Sequence, residues 1–207
     1  MKKINSWYLP DSEEHLVKYI KRDDSYQKPH RDHALSFVKE FRGALDIGAH
    51  VGLWAKDLCR KFDMVYCFEP ILQHRNCLRM NLVGNHNYII HDSVLSDKEE
   101  ELIVLQDKKS SGGTSFQEPF NDSESIFNTE ELTPLCDGMI PIDFIKIDVE
   151  GMEGRVLKGG EKIILREKPI INIEQKFNID GIKFLLSIGM ELLGQYSDEY
   201  VFGFENG

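Results

Sequence analysis

The residues best placed to do chemistry are acids that each close a short apolar run. Asp46 follows Ala44-Leu45 and leads into Ile47-Gly48-Ala49-His50-Val51-Gly52. Glu69, followed by Pro70, ends Met64-Val65-Tyr66-Cys67-Phe68, and Asp92, followed by Ser93, ends Tyr88-Ile89-Ile90-His91. Asp148 ends Ile142-Asp143-Phe144-Ile145-Lys146-Ile147, with Glu150 two residues on, and Glu174 ends the run from Ile170. Ionised carboxylates can neutralise an ammonium, accept hydrogen bonds from hydroxyls, take up a proton or ligate a hard cation. Gly48 and Gly52 let backbone N–H groups come close to a charged or polar ligand.

Two nucleotide ligands compete for that first loop. A dinucleotide site requires G-x-G-x-x-G, whose glycines admit the pyrophosphate and the following helix. Here the position two after Gly48 is His50, and Asp46 just ahead of the turn would repel a pyrophosphate. A carboxylate there suits a ligand with an ammonium group and no phosphate, such as S-adenosyl-L-methionine. Glu69 lies about 20 residues beyond the glycines, where an acid hydrogen-bonds ribose hydroxyls. Asp92 is then placed for the adenine amino group. The cofactor-binding set read from the sequence is Asp46, Gly48, Ala49, His50, Val51, Gly52, Glu69, Pro70, Asp92, Ser93 and Asp148.

If such a sulfonium ligand gives up its methyl group, the step is an in-line displacement that needs two reactants held in line and a nucleophile relieved of its proton. Along the run to Asp148 the side chains alternate, so Phe144, Lys146 and Asp148 share one face. A Lys inside a central parallel strand is unusual, because such strands are buried on both faces, and it requires an acidic partner or a lowered pKa. Asn172 and Glu174 share a face of the neighbouring strand. Lys146, Asp148, Asn172 and Glu174 are therefore expected to cluster at the carboxyl ends of the two strands. The bland alternative is a buried ion pair with no part in catalysis. In the functional reading Asp148 sits nearest the methyl, as base or as orienter of a hydroxyl, with Lys146, Glu150 and Glu174 in support. Oxygen ligands suit Mg²⁺ or Ca²⁺, but acids on loops and strand ends are too weak a signal to assign a divalent metal.

The elements that must position these residues follow from periodicity. Short β-branched runs alternate with helical spacing, the pattern of parallel βαβ units in one doubly wound α/β domain. Residues 1–42 read as a helical preface. In it Asp11 or Ser12 caps a helix carrying Leu16, Tyr19 and Ile20, Lys28-Pro29 breaks it, and Asp32 caps a second helix with Leu35, Val38 and Phe41. In the core, residues 43–207, Trp54, Leu58 and Phe62 space a helix. Another starts at Pro70 and runs to Gly84. The middle of the chain reads as an extra strand at Glu101–Leu105, a loop at Lys108–Pro119 and a capped short helix from Thr129. Then come one helix through Val156, Leu157, Ile163 and Ile164, another from Ile182 to Ile188, and a closing antiparallel hairpin turning at Ser197-Asp198.

Composition bounds the rest. The 207 residues carry 25 basic and 35 acidic side chains, a net charge of −10, which argues against a nucleic-acid partner. No apolar run is long enough for a membrane helix, and the N-terminus lacks the apolar core of a signal peptide. The four cysteines make no CxxC pair, which predicts reduced thiols and a cytoplasmic protein. Nothing in the sequence sets the oligomeric state.

With these residues in view the chain resembles FkbM-type class I methyltransferases. The resemblance rests on Leu45-Asp46-Ile47-Gly48-Ala49-His50-Val51-Gly52-Leu53, Phe68-Glu69-Pro70, Val94-Leu95-Ser96-Asp97-Lys98 and Asp143-Phe144-Ile145-Lys146-Ile147-Asp148-Val149-Glu150-Gly151. It continues through Val156-Leu157-Lys158-Gly159-Gly160, Pro169 and Ile173-Glu174. It covers roughly residue 43 to the C-terminus; His50 departs from the Asn that members typically carry. The resemblance implies a Rossmann-like class I methyltransferase sheet and methyl transfer from S-adenosylmethionine, usually to oxygen of a small molecule or glycan. Two other readings stand beside it: a cofactor-binding module without catalysis, for which the Lys146–Glu150 cluster would have no use, and an NAD(P)-dependent oxidoreductase, disfavoured by Asp46 and the missing middle glycine.

Overall fold

The computed structural model describes residues 1–106, 114–117, 126–175 and 179–205. The preface is not purely helical. It opens with a hairpin of β1 (Lys2–Ile4) and β2 (Trp7–Leu9). The turn residue Asn5 takes φ 51°, which Asn tolerates well, and its amide donates to the Ile20 carbonyl at 2.7 Å. Three-residue strands are too short to leave an alternating pattern, so the sequence hid them. Helix α1 (His15–Asp23) follows. Neither Asp11 nor Ser12 caps it; the buried Glu13 carboxylate accepts the Leu16 N–H at 2.7 Å instead. Helix α2 (Lys28–Leu35) begins where a break was expected: Pro29 stands in its first turn, where no N–H is required. Asp32 is thus an interior residue, and Val38 and Phe41 lie beyond the helix.

The core then runs β3 (Gly43–Ile47), α3 (Ala55–Leu58), β4 (Met64–Phe68), α4 (Leu72–Asn81), β5 (Tyr88–His91), β6 (Val94–Ser96), β7 (Glu101–Gln106), β8 (Thr114–Gln117), β9 (Ile126–Glu131), α5 (Leu132–Leu135) and β10 (Ile142–Ile147). It ends with α6 (Glu153–Gly159), α7 (Glu161–Glu167), β11 (Ile170–Glu174), α8 (Asp180–Ser187), β12 (Met190–Tyr196) and β13 (Glu199–Phe204). The main sheet has the order β12-β13-β11-β10-β3-β4-β5. Strands β11, β10, β3, β4 and β5 are parallel, and the C-terminal hairpin adds β13 antiparallel to β11. A second sheet, β6-β9-β7-β8, flanks it.

Several boundaries differ from expectation. Helix α3 is a single turn rather than a helix reaching Phe62, and α4 begins at Leu72, after Ile71 rather than at Pro70. Within the stretch expected to be a loop, Thr114–Gln117 pairs with β7; residues 108–113 and 118–119 lie outside the described residues. Thr129 is in strand β9, not at a helix start, its hydroxyl donating to the Lys98 carbonyl at 2.7 Å. The helix through Val156 and Ile164 is two, α6 and α7, parted at Gly160.

Both faces of the central strands β3, β4, β10 and β11 are largely buried, which explains their nearly continuous apolar sequences. Leu45, Ile47, Ile145, Ile147, Ile171 and Ile173 pack on one face against α6, α7 and α8; Ala44, Val65, Cys67 and Phe144 pack on the other against Trp54, Leu58 and Leu78. The preface packs through Trp7, Leu9, Leu16 and Ile20 against Val51, Leu53 and Cys77. All four cysteines are buried and unpaired; burial pushes the Cys59 and Cys136 thiols up to about 12. No helix among the described residues is long and apolar enough to cross a membrane. The register aligns Asp46 of β3, Lys146 of β10 and Asn172 of β11 side by side, and opposes Glu174 to Glu199 of β13.

Candidate functional site

The Gly48–Gly52 loop and the end of β10 meet without room between them. Gly48 has φ +76°, and a Cβ there would lie 1.9 Å from the Asp148 carbonyl oxygen. Gly52 has φ +91°, and its Cβ would meet Leu78 at 2.6 Å. Gly48 is thus required both for its backbone conformation and for its close backbone contact, and Gly52 for its backbone conformation. The N–H groups of Gly48 and Ala49 both donate to the Phe68 carbonyl at 3.0 Å, which ties the loop to β4.

Glu69 fixes the other side of the loop. It is buried; Oε2 accepts the His50 N–H at 2.9 Å, and Oε1 accepts the Ile71 N–H at 2.9 Å and faces His74 Nδ1 at 3.2 Å. Burial alone would raise its carboxyl, but His74, His50 and the Ile71 N–H bring it below its ordinary value. Pro70 directs the chain into α4, and its carbonyl takes a bond from Arg75. His74 and His50 meet edge-on at 4.5 Å. Burial first, and then His74, holds the His50 imidazole down to about 3 from its ordinary 6.5.

That shift makes a stability prediction. Between about pH 3 and 6.5 the unfolded chain binds a proton at His50 that the folded chain does not. Stability therefore falls as pH drops below 6.5. His50→Asn removes this loss, and Asn accepts the φ of +50° found there. The expected result is a smaller drop in Tm between pH 7.5 and pH 5 for the variant than for wild type; parallel drops would show that His50 is not held neutral.

Asp46 and Lys146 form the buried layer beneath the loop. Asp46 is fully buried, with Lys146 Nζ 3.4 Å from its carboxylate. The ammonium beside Asp46 is thus one from the chain itself. Lys146 also donates to the Gly48 carbonyl at 2.8 Å and lies 3.7 Å from Asp148. Burial alone would lower the Lys146 ammonium, yet Asp46, Asp148, Glu174 and Glu199 together raise it. It stands as a cation holding an acidic site together.

Above this layer, Asp148, Glu150 and Glu174 each present a carboxylate oxygen within 4.8 Å of the others. Asp148 is anchored through its N–H to the Ile47 carbonyl at 3.1 Å, and Glu150 takes φ +50° ahead of Gly151 at +106°. The expected cluster of Lys146, Asp148, Asn172 and Glu174 is therefore brought together at the strand ends. Acidic groups this close are common without an ion, and we assign none. Asp92 and Ser93 follow β5 on the far side of Glu69. The Asp92 side chain is 76% exposed and 3.5 Å from Arg75, while Ser93 donates to Glu130 at 3.1 Å.

Glu153, Glu199 and the pairing of Glu199 with His30 had no sequence signal of comparable strength. Glu153, in the first turn of α6, accepts the N–H groups of Val149 and Gly151 at 3.3 and 3.0 Å and so holds the Asp148–Gly151 turn. An acid just past a Gly-containing turn was the only hint. Glu199 and His30 are 169 residues apart and meet at 2.9 Å, which no local pattern announces.

A family model for the methyltransferase FkbM domain matches residues 46–200. The chain belongs to the FkbM methyltransferase family. The matched span contains the glycine loop, Glu69, the Lys146–Glu150 stretch and Glu174, and excludes the preface. Among solved structures, methyltransferase FkbM from Methylobacillus flagellatus KT superposes with a TM-score of 0.58 at 18% identity over 82% of this chain. This chain spans only 45% of that one. An rRNA methylase from Streptococcus thermophilus gives a TM-score of 0.51 at 12% identity, covering 84% of this chain and 92% of that one. A putative methyltransferase from Streptococcus mutans, solved in complex with SAH, gives 0.50 at 12%, covering 85% and 94%. At these identities the likeness is one of fold, a Rossmann-like class I methyltransferase sheet. No curated protein matches the chain.

Proposed function

We propose that this FkbM-family chain transfers a methyl group from S-adenosylmethionine to a hydroxyl of a small molecule or glycan. The observation that carries the reading is the contact of Gly48 with Asp148, which makes the glycine loop and the carboxylate cluster a single site. The loop and Glu69 hold the nucleoside end. Glu69 already takes His50, Ile71 and His74, but a carboxylate offers about four acceptor positions, leaving about one for a ribose hydroxyl. Asp92, exposed beyond β5, is available to the adenine. Asp148 lies at the junction, where it takes the acceptor hydroxyl's hydrogen bond and holds its oxygen in line with the methyl. Glu150 and Glu174 complete the polar wall on the acceptor side, and Lys146 keeps that wall charged without collapse. The net charge of −10 supports a neutral or cationic small acceptor over a nucleic acid.

Calorimetry and isotope transfer test this in sequence. S-adenosylhomocysteine is expected to bind and NAD is not; the reverse would restore the oxidoreductase reading. Methyl-labelled cofactor is then offered with a panel of sugars, alcohols and matched amines. Label in an ether product is the expected result. Label confined to amines would overturn O-methylation, and no label from any acceptor would favour the non-catalytic binding module.

A further inference from the structure

Seven histidines are present, and six have other circumstances. His50 and His74 belong to the Glu69 loop, Nε2 of His33 and of His91 are enclosed, and His15 and His86 lie on the surface. His30 is different. It lies on α2, outside the residues matched to the family, yet its ring reaches the carboxyl ends of the core strands. Nδ1 is 2.9 Å from Glu199 Oε1, and Glu199 Oε2 accepts Asn172 Nδ2 at 2.8 Å. Glu199 is 3% exposed and opposes Glu174; Asn172 is in register with Lys146, which lies 3.7 Å from Asp148. The His30 ring packs against Tyr196 with centroids 4.6 Å apart.

These partners set the tautomer. A carboxylate that accepts from Asn172 on one oxygen takes the Nδ1–H of His30 on the other, which leaves Nε2 as the basic nitrogen. Nε2 has no hydrogen-bond partner among the described residues, and with the side chain 19% exposed it reaches solvent. A carboxylate-oriented imidazole with an open Nε2 is the arrangement of a general base, and it stands at the same strand ends as Asp148.

We infer that His30, oriented by Glu199, accepts the proton of the methyl acceptor. The inference rests on the methyl-transfer reading above. The acceptor O–H bond breaks with its proton passing to Nε2. The oxygen's electron pair forms the new O–CH₃ bond while the S–CH₃ bond breaks with its pair going to sulfur. The imidazolium is balanced by Glu199 and returns the proton to water. Asp148 then orients the acceptor and His30 takes its proton. Because α2 lies in the preface, the preface would supply part of the catalytic machinery.

Two measurements on the full chain test this. Diethyl pyrocarbonate acylates basic imidazole nitrogens, and peptide mass spectrometry can compare His30 with the exposed His86 in one sample. His30 is expected to react several-fold faster, and Glu199→Gln to bring it to the His86 rate or below. Equal rates in wild type, or no effect of E199Q, would overturn the dyad. This arm contains no cofactor or acceptor, so its failure leaves the methyl-transfer reading untouched. With the acceptor found by isotope transfer, His30→Gln is expected to lower kcat by about a hundredfold, with Tm and the KM for S-adenosylmethionine nearly unchanged. Imidazole should restore at least tenfold to His30→Ala. An unchanged kcat, or a loss that imidazole does not rescue, would show that His30 only fastens α2 to the sheet. A panel with no labelled acceptor would overturn methyl transfer and the proton acceptor with it, whatever the acylation rates.

Discussion

Asp148→Asn is expected to reduce methyl transfer by about a hundredfold or more while affinity for S-adenosylhomocysteine stays within a few-fold. The asymmetry follows from what each part of Asp148 does. Its backbone is what the cofactor loop needs: the N–H bonds Ile47, and the carbonyl is what Gly48 packs against. Asn preserves both. Its side chain is 28% exposed and 3.7 Å from Lys146, and in the proposed reaction it is the part that meets the acceptor. An amide of the same shape lacks the charge that takes a hydroxyl's hydrogen bond strongly, and a misplaced nucleophile loses about 10² in rate. Calorimetry and labelled transfer on the same preparation separate the two effects. Full activity in the variant would remove Asp148 from the mechanism, and a parallel loss of cofactor affinity would make it a cofactor ligand alone.

How much of this arrangement was legible beforehand depended on whether its cause was local. The five parallel strands could be read because each is a short apolar run, four of them largely buried on both faces, and the strand-end acids could be read with them. Lys146 stood out for the same reason: a cation in such a run demands a partner, and Asp46, Asp148 and the neighbouring acids supply the charge. What stayed hidden came from tertiary contact. Asp46 could be seen to want an ammonium, but only the register of β3 with β10 shows that Lys146 provides one. The β1–β2 hairpin is too short for periodicity and is held by contacts from Asn5 and Trp7 to the end of α1. Pro29 was ambiguous because proline both ends one helix and opens the next. The pairing of His30 with Glu199 depends on the whole fold bringing α2 over the end of β13. These meetings span most of the chain, which is why the glycine loop and the strand-end acids were readable and the His30–Glu199 pairing was not.

The Asp46–Lys146 pair should dominate the stability of the strand ends beneath the glycine loop, and its two halves should not be equivalent. Lys146→Met keeps the length and apolar stem of the side chain but leaves Asp46, with no exposure at all, beside no cation at 3.4 Å. It also withdraws a donor from the Gly48 carbonyl. Removing one partner of a buried pair costs about 3–5 kcal/mol, and loss on that scale is the expected outcome in urea unfolding. Asp46→Asn should cost less, because Lys146 retains Asp148 at 3.7 Å and the field of Glu174 and Glu199. In the double variant the buried charge disappears with its partner, so the combined loss should fall short of the sum of the two single losses by about 1 kcal/mol or more. Additive losses would mean that the two groups are not coupled. The sheet would then tolerate Lys146 only for its bond to the glycine loop, a role that Lys146→Met alone would expose through weakened S-adenosylhomocysteine binding.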